Sequence, residues 1–412
     1  MIKKRDIKKP NKFFFNIILF LFLFLLPTQF GKFFFFSFSY LSGLRIDYLA
    51  YALYATDLLA ITLIFFKIKY VLLFFKNKSV LFVFFLFGIS IFFSFSPQIA
   101  FYKFLKILEF TSLFVVFKTI KINKKIFFYP LILGGFVQLF LSLFHLINQR
   151  SIQGIFYYLG ERYFTSAVPG IAKASLSGME ILRPYGSFSH PNSMAGFYLL
   201  IYAFVLGIDF RKNQLLKNIV LTMCIFLILI SFSKVAIFSL LIVNIIFLIK
   251  TFKKSLCKFC SVSRVIVLFL LSLIFFYAKT DPLSVFKRLE LIKNSVSLIL
   301  KYPITGVGIG NYLIAQDKLA SASTIFPPQP VHNIIFLLAA EVGIFLGFAI
   351  IFLIFKYFYK FKKINSLIFC FAVLLITGFF DHYWMTLQQN VLLLAVVSCL
   401  ITNPQVVFEK SR

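Results

Sequence analysis

Acidic side chains are scarce in this 412-residue chain: 13 Asp and Glu stand against 43 Lys and Arg, for a net charge of +30. In a soluble protein such a balance points to nucleic acid. Here the basic residues sit mostly in short loops between apolar spans, so the charge reads as membrane orientation and no nucleic-acid partner is expected. Cysteine is sparse too, at Cys224, Cys257, Cys260, Cys370 and Cys399. None falls in a stretch expected outside the membrane, which argues against extracytoplasmic disulfides. Cys257 and Cys260 form a lone CxxC in a basic loop without further ligands nearby, and two inert thiols are a better reading than zinc. No P-loop, outward-facing DxD motif or serine-nucleophile motif is present. A reaction run by this chain is expected to use no cofactor and to run without ATP or nucleotide sugars; its energy must arrive in the substrate.

What the chain has in excess is apolar residues, at 61% of the sequence with 62 Phe and a mean hydropathy of +0.95. Such a composition specifies an all-α polytopic membrane protein, here a single integral domain over residues 1–412. The basic start MIKKRDIKKPNK precedes an apolar run from Phe13 to Leu26. It looks like a signal peptide without the small-residue cleavage site, so a retained first span with a cytoplasmic N-terminus is expected. Eleven more spans are expected at 48–66, 79–95, 104–117, 126–147, 191–208, 217–232, 235–250, 264–278, 332–354, 365–380 and 388–402. About 12 helices put both termini inside, and 28 of the 43 Lys and Arg then fall in inside segments, as the positive-inside rule requires.

Two outer loops are long, 148–190 and 279–331, the second lying between helices 9 and 10. The second opens with Phe286, Leu289, Ile292, Val296 and Ile299 at helical spacing, the pattern of a helix lying along a membrane surface. Pro303 ends it, and Gly306, Gly308 and Gly310 of GVGIGN permit close packing in an irregular loop. A loop this long and this rich in polar residues, in so apolar a chain, points to an active site on the outer face.

The candidate residues cluster at the outer ends of spans. Arg183 precedes HPN, where Pro191 suits a first helical turn and Ser189 or His190 its cap, with Asn192 beside them. An arginine beside a helix N-terminus suits phosphate oxygens, although a lone interfacial arginine more often snorkels to headgroups. Lys234 lies at a tight junction of two spans and serves equally well as an anion ligand or an anchor. Arg288 edges the amphipathic helix. His332-Asn333 opens a membrane helix, whose N-terminus favours a neutral imidazole able to accept a proton. Glu341 lies deeper in that helix, with ion pairing as its blander role, and His382 in DHYW is a second, weaker histidine candidate. His145 has nothing around it in sequence to raise it.

In order and spacing, RPYGSFSHPNSMAGFYL (183–199), SFSKVAIFSLL (231–241), Arg288, YPITGVGIGNY (302–312) and HNIIFLLAAEVGIFLG (332–347) resemble the O-antigen ligase and polymerase family. The resemblance implies a metal-independent, inverting glycosyltransferase of the bacterial cytoplasmic (inner) membrane, with its site facing the periplasm. It implies a polyprenyl-diphosphate-linked glycan as donor and lipid A-core, a growing glycan or a protein as acceptor. On that pattern Arg183, Lys234 and Arg288 bind the diphosphate and His332 is catalytic. Many members have Arg where this chain has Lys234, which keeps the charge and loses the bidentate fork. A glycan flippase is the alternative of another class, but it would place polar residues in the middle of several spans.

Overall fold

A computed structural model describes residues 12–176, 178–210, 213–252, 258–278, 283–319, 328–361 and 364–402. These residues are mostly helical. The N-terminal third holds α1 (Lys12–Leu25), α2 (Ala55–Phe66), α3 (Ile68–Phe75), α4 (Lys78–Phe92), α5 (Pro97–Thr119) and α6 (Lys124–Asn148). The short α7 (Ile155–Tyr158) is followed by α8 (Pro191–Leu206), α9 (Gln214–Ile230), α10 (Lys234–Thr251) and α11 (Lys258–Tyr277). Then come α12 (Leu283–Lys301), α13 (Tyr312–Leu319), α14 (Ile334–Val342), α15 (Ile344–Tyr359), α16 (Asn365–Phe380), α17 (Tyr383–Thr386) and α18 (Gln388–Thr402). Strands are few and short. β1 (Gly31–Phe34) pairs with β4 (Tyr51–Tyr54), β2 (Tyr40–Leu41) with β3 (Leu44–Arg45), and β5 (Lys173–Leu176) with β6 (Met179–Leu182), all antiparallel.

Each expected span contains a helix, but with two departures. The span placed at 48–66 opens with the end of a 3-10 turn (Asp47–Leu49) and strand β4, is α-helical only from Ala55, and then turns by 84° into α3. The span placed at 332–354 is broken at Gly343 into α14 and α15. By length and composition two described helices, α6 and α10, can each cross a membrane, or three if the bent α2–α3 pair counts as one. Most other apolar helices have 14 to 17 residues. At a rise of about 1.5 Å per residue they fall short of a hydrocarbon core of roughly 30 Å.

α8 forms the centre of the bundle: every side chain from Ser193 to Leu206 is buried, against α9, α10, α16 and α18. Small residues make this possible, since a Cβ at Gly196 would stand 2.3 Å from the Tyr383 hydroxyl. A helix apolar on all sides belongs inside its protein. The opposite holds at the periphery, where Phe13, Phe65, Phe92, Phe345 and Phe348 are exposed, as lipid contact allows. The free thiols of Cys224, Cys370 and Cys399 are buried, whereas Cys257 lies outside the described residues.

α12 has the expected helical form, but its packing face is set by Leu291, Ser295 and Leu298, which are buried beside α13 and α14. Of the expected stripe, Ile292 and Ile299 join this cluster, while Phe286, Leu289 and Val296 face outward. The loop after it docks on the break between α14 and α15. Val307 N–H donates to Ala340 O (2.9 Å), Gly308 N–H to Glu341 O (2.9 Å) and Ile344 N–H to Pro303 O (2.8 Å). Both backbones must approach without side chains between them, and Gly306 (φ 65°) and Gly343 (φ 82°, ψ 162°) supply that freedom. A Cβ at Gly343 would meet Ile304 O at 2.1 Å. Gly343→Ala therefore combines a backbone region open only to glycine, costing about 1–3 kcal/mol, with a backbone clash. Its thermal midpoint in detergent should drop by several degrees. Gly88→Ala, where nothing lies within 4 Å of the new methyl, should leave it unchanged.

Candidate active site

One face of the bundle gathers the N-terminal ends of α8, α10 and α14 and the C-terminal ends of α9 and α16. Between them lies a cavity of about 1390 Å³ whose walls include Arg183, Lys234, Arg288, His190, Asn192 and His332, with Asp381 and His382. Residues from four separate sequence motifs thus meet in one space. Asn333 and Glu341 do not line it.

Arg183 leaves β6 and is buried. Its Nε donates to Ser231 O (3.0 Å) at the end of α9, and its Nη2 donates to Asn192 Oδ1 (2.6 Å) on α8. Both partners are neutral. Burial, with the nearby Arg288 charge, brings its pKa down to about 10, so it stays cationic at neutral pH. Lys234 is the first residue of α10. A cation there opposes the positive end of the helix dipole, so side chain and helix together direct positive potential into the cavity. Arg288 reaches the cavity from α12. Among the described residues none of these three cations forms an ion pair.

His190 caps α8: its Nδ1 accepts from Asn192 N–H (3.1 Å). Burial and the Arg183 charge lower its pKa to about 3, and the ring stays neutral. His332 stands one residue before the cap of α14, which is Asn333, so the helix begins later than expected. Asn333 Oδ1 accepts from Ile335 N–H (2.9 Å) and Phe336 N–H (3.1 Å), a structural role. Glu341 accepts from the Tyr48 hydroxyl (2.8 Å) and, through the Gly310 and Tyr312 backbone, fixes the glycine loop.

The residue that the sequence reading missed is Asp381, at the end of α16. Its Oδ2 accepts from Asn192 Nδ2 (3.0 Å), its Oδ1 accepts from His382 N–H (2.8 Å), and His332 Nδ1 lies 3.4 Å from Oδ1. Burial opposes its ionisation, but His332 beside it and the surrounding histidines more than offset this and hold the carboxyl below its usual range. A signal existed: an acidic residue adjoining His382 at the outer end of an expected span. His382 stacks 5.2 Å from His332, ring centre to ring centre. His145, also passed over, is fully buried on Glu161 (2.7 Å), which accepts from Ile152 N–H (2.8 Å) as well and ties the 148–190 loop to α6.

A folded-state pKa of about 3 for His190, against about 6.5 in the unfolded chain, means that the unfolded state binds the extra proton between those values. Stability is then complete above the unfolded value and declines as pH falls towards the folded one. His190→Asn keeps a cap acceptor and removes the titration. Its unfolding midpoint should fall less steeply than that of the wild type between pH 6.5 and 4.5, followed by thermal melts in detergent.

Among curated proteins, none matches the chain. Residues 219–351, about a third of its length, match the family model described as O-Antigen ligase. That stretch carries Lys234, Arg288, His332 and the docked glycine loop, while Arg183, Asn192 and Asp381 come to them through the fold. The match likens residues 219–351 to the O-antigen ligase family and supports a membrane glycosyl-transfer function in polysaccharide biosynthesis.

Proposed function

We propose that this chain transfers a glycan from a polyprenyl-diphosphate donor to a sugar hydroxyl on lipid A-core or a growing glycan, at the outer face of the bacterial inner membrane. The observation that carries the proposal is the meeting of Arg183, Lys234, Arg288 and His332 on one cavity. Three cations without carboxylate partners suit a diphosphate. As the donor's anomeric C–O bond breaks, its electron pair passes to the diphosphate oxygen, whose growing charge the cations stabilise. The acceptor hydroxyl attacks from the opposite side, inverting the centre, and its proton passes to His332. Asp381 receives Nδ1–H of His332 and leaves the Nε2 lone pair as the base. The 3.4 Å separation is long for a hydrogen bond, and this role requires it to shorten once substrate is seated. No metal is required, because charge neutralisation comes from side chains.

His332→Ala should lower turnover by on the order of a hundred- to ten-thousand-fold with donor affinity preserved. Arg183→Ala should weaken donor binding itself. In vitro transfer from a purified lipid-linked donor, with binding measured separately, distinguishes them; near-normal turnover in folded His332→Ala removes the base from the proposal.

The proposal includes twelve spans in a single domain, with short helices completed by their flanking chain, and the loops at 148–190 and 279–331 outside. An impermeant thiol reagent should label Ser166→Cys in intact cells and leave Ser79→Cys silent, both in a cysteine-free background. The reverse pattern would turn the site to the cytoplasm and exclude this donor chemistry.

A further inference from the structure

His332, Asp381 and His382 present one ligand atom each within 4.8 Å of one another, on the wall of the cavity. We propose that these three side chains bind a divalent transition-metal ion, Zn²⁺ foremost, and that its binding switches off the histidine that would activate the acceptor. The second half rests on the function proposed above; the first does not.

The ligand set favours this ion class. Two imidazoles and one carboxylate are the donors of zinc sites, whereas magnesium and calcium take oxygen alone. Bonds of about 2.0–2.2 Å in a tetrahedron separate neighbouring ligand atoms by roughly 3.3–3.6 Å. His332 Nδ1 and Asp381 Oδ1, at 3.4 Å, already stand at that separation, which is too long for a good hydrogen bond.

The surrounding contacts orient the donors. Thr386 Oγ1 lies within reach of both His382 O (3.2 Å) and His382 Nδ1 (2.8 Å). With the hydroxyl hydrogen on the carbonyl, Nδ1 donates the ring proton to Oγ1, and Nε2 keeps the lone pair that a metal needs. Asn192 holds the other carboxylate oxygen of Asp381. Such outer contacts fix tautomer and orientation at metal sites. Arg183, on the same wall, is already committed to Asn192 and Ser231. Three protein ligands leave one position, open to the cavity.

Occupation would be inhibitory for a simple reason. A neutral imidazole metallated on Nδ1 keeps its one proton on Nε2. The lone pair that would accept the hydroxyl proton is then absent, and Asp381 no longer holds the opposite tautomer.

The test uses the full chain in detergent, stripped with chelator and carrying Cys257→Ser and Cys260→Ser so that those thiols add no binding. Co²⁺ titration should give one equivalent with the intense visible bands of a four-coordinate ion, and Zn²⁺ should displace it. His382→Ala should weaken Co²⁺ binding by at least about tenfold, and Thr386→Val by a smaller factor. Zn²⁺ should abolish transfer in the parent protein, and chelator should restore it. Absence of a single-equivalent Co²⁺ spectrum in the parent, or its persistence at unchanged affinity in folded His382→Ala, overturns the site. Stoichiometric Zn²⁺ without loss of transfer overturns the switch. Because binding is read without donor, its failure is separable from failure of the proposed transfer reaction.

Discussion

The cavity depends on one buried guanidinium. Arg183 joins the end of α9, through Ser231 O, to Asn192 on the first turn of α8, and Asn192 passes the connection to Asp381 at the end of α16 and so to His332. Four segments far apart in sequence are thereby set in register by hydrogen bonds that each use a specific donor. A lysine at this position could keep the charge but could not serve two acceptors in fixed directions from one plane. Removing any member leaves a buried polar group unpaired, at a cost of about 1–3 kcal/mol.

Around this chain of contacts the bundle supplies rigidity. α8 has no solvent-facing side, and its first turn is held again from α18, where Ser193 Oγ donates to Asn390 Oδ1 (2.7 Å) and Asn390 Nδ2 donates to Ser193 O (3.1 Å). Gln138 and Ser187 exchange two hydrogen bonds of 2.8 Å just below. These are buried amide and hydroxyl groups with complementary partners, which fix geometry without adding charge. The cations of the cavity are different. Arg183, Lys234 and Arg288 carry no ion pairs among the described residues, unlike Arg162 and Lys173 on the same wall, and such an arrangement makes sense when an anionic ligand supplies the missing charge.

The glycine loop has a mechanical role. By docking on the α14–α15 break, it couples α12, which carries Arg288, to α14, which follows His332. Glu341, an intramembrane acid that attracts attention in the sequence, turns out to serve this dock, with Tyr48 as its partner. In the proposed reaction the loop would keep one diphosphate ligand and the base at a fixed separation.

The helical class and the places of the apolar segments were legible in the sequence, as was the choice of Arg183, Lys234, Arg288 and His332 as candidates, because hydropathy and helix-start chemistry are local properties. What local pattern could not provide was depth and partnership. It treated 48–66 and 332–354 as continuous spans, since a 84° turn and a glycine break leave mean hydropathy unchanged. It ranked Glu341 and Asn333 with His190 and Asn192, although only the latter pair reaches the cavity. Asp381 went unnoticed because its meaning lies in Asn192 and His332, 189 and 49 residues away. Composition and periodicity determined that this chain is a helical bundle, and local motifs offered candidate cations near the outer ends of its spans. Only tertiary packing decided which cations share a space and which acid faces the histidine, because hydrogen bonds between helix ends are made across the fold and leave no spacing in the sequence.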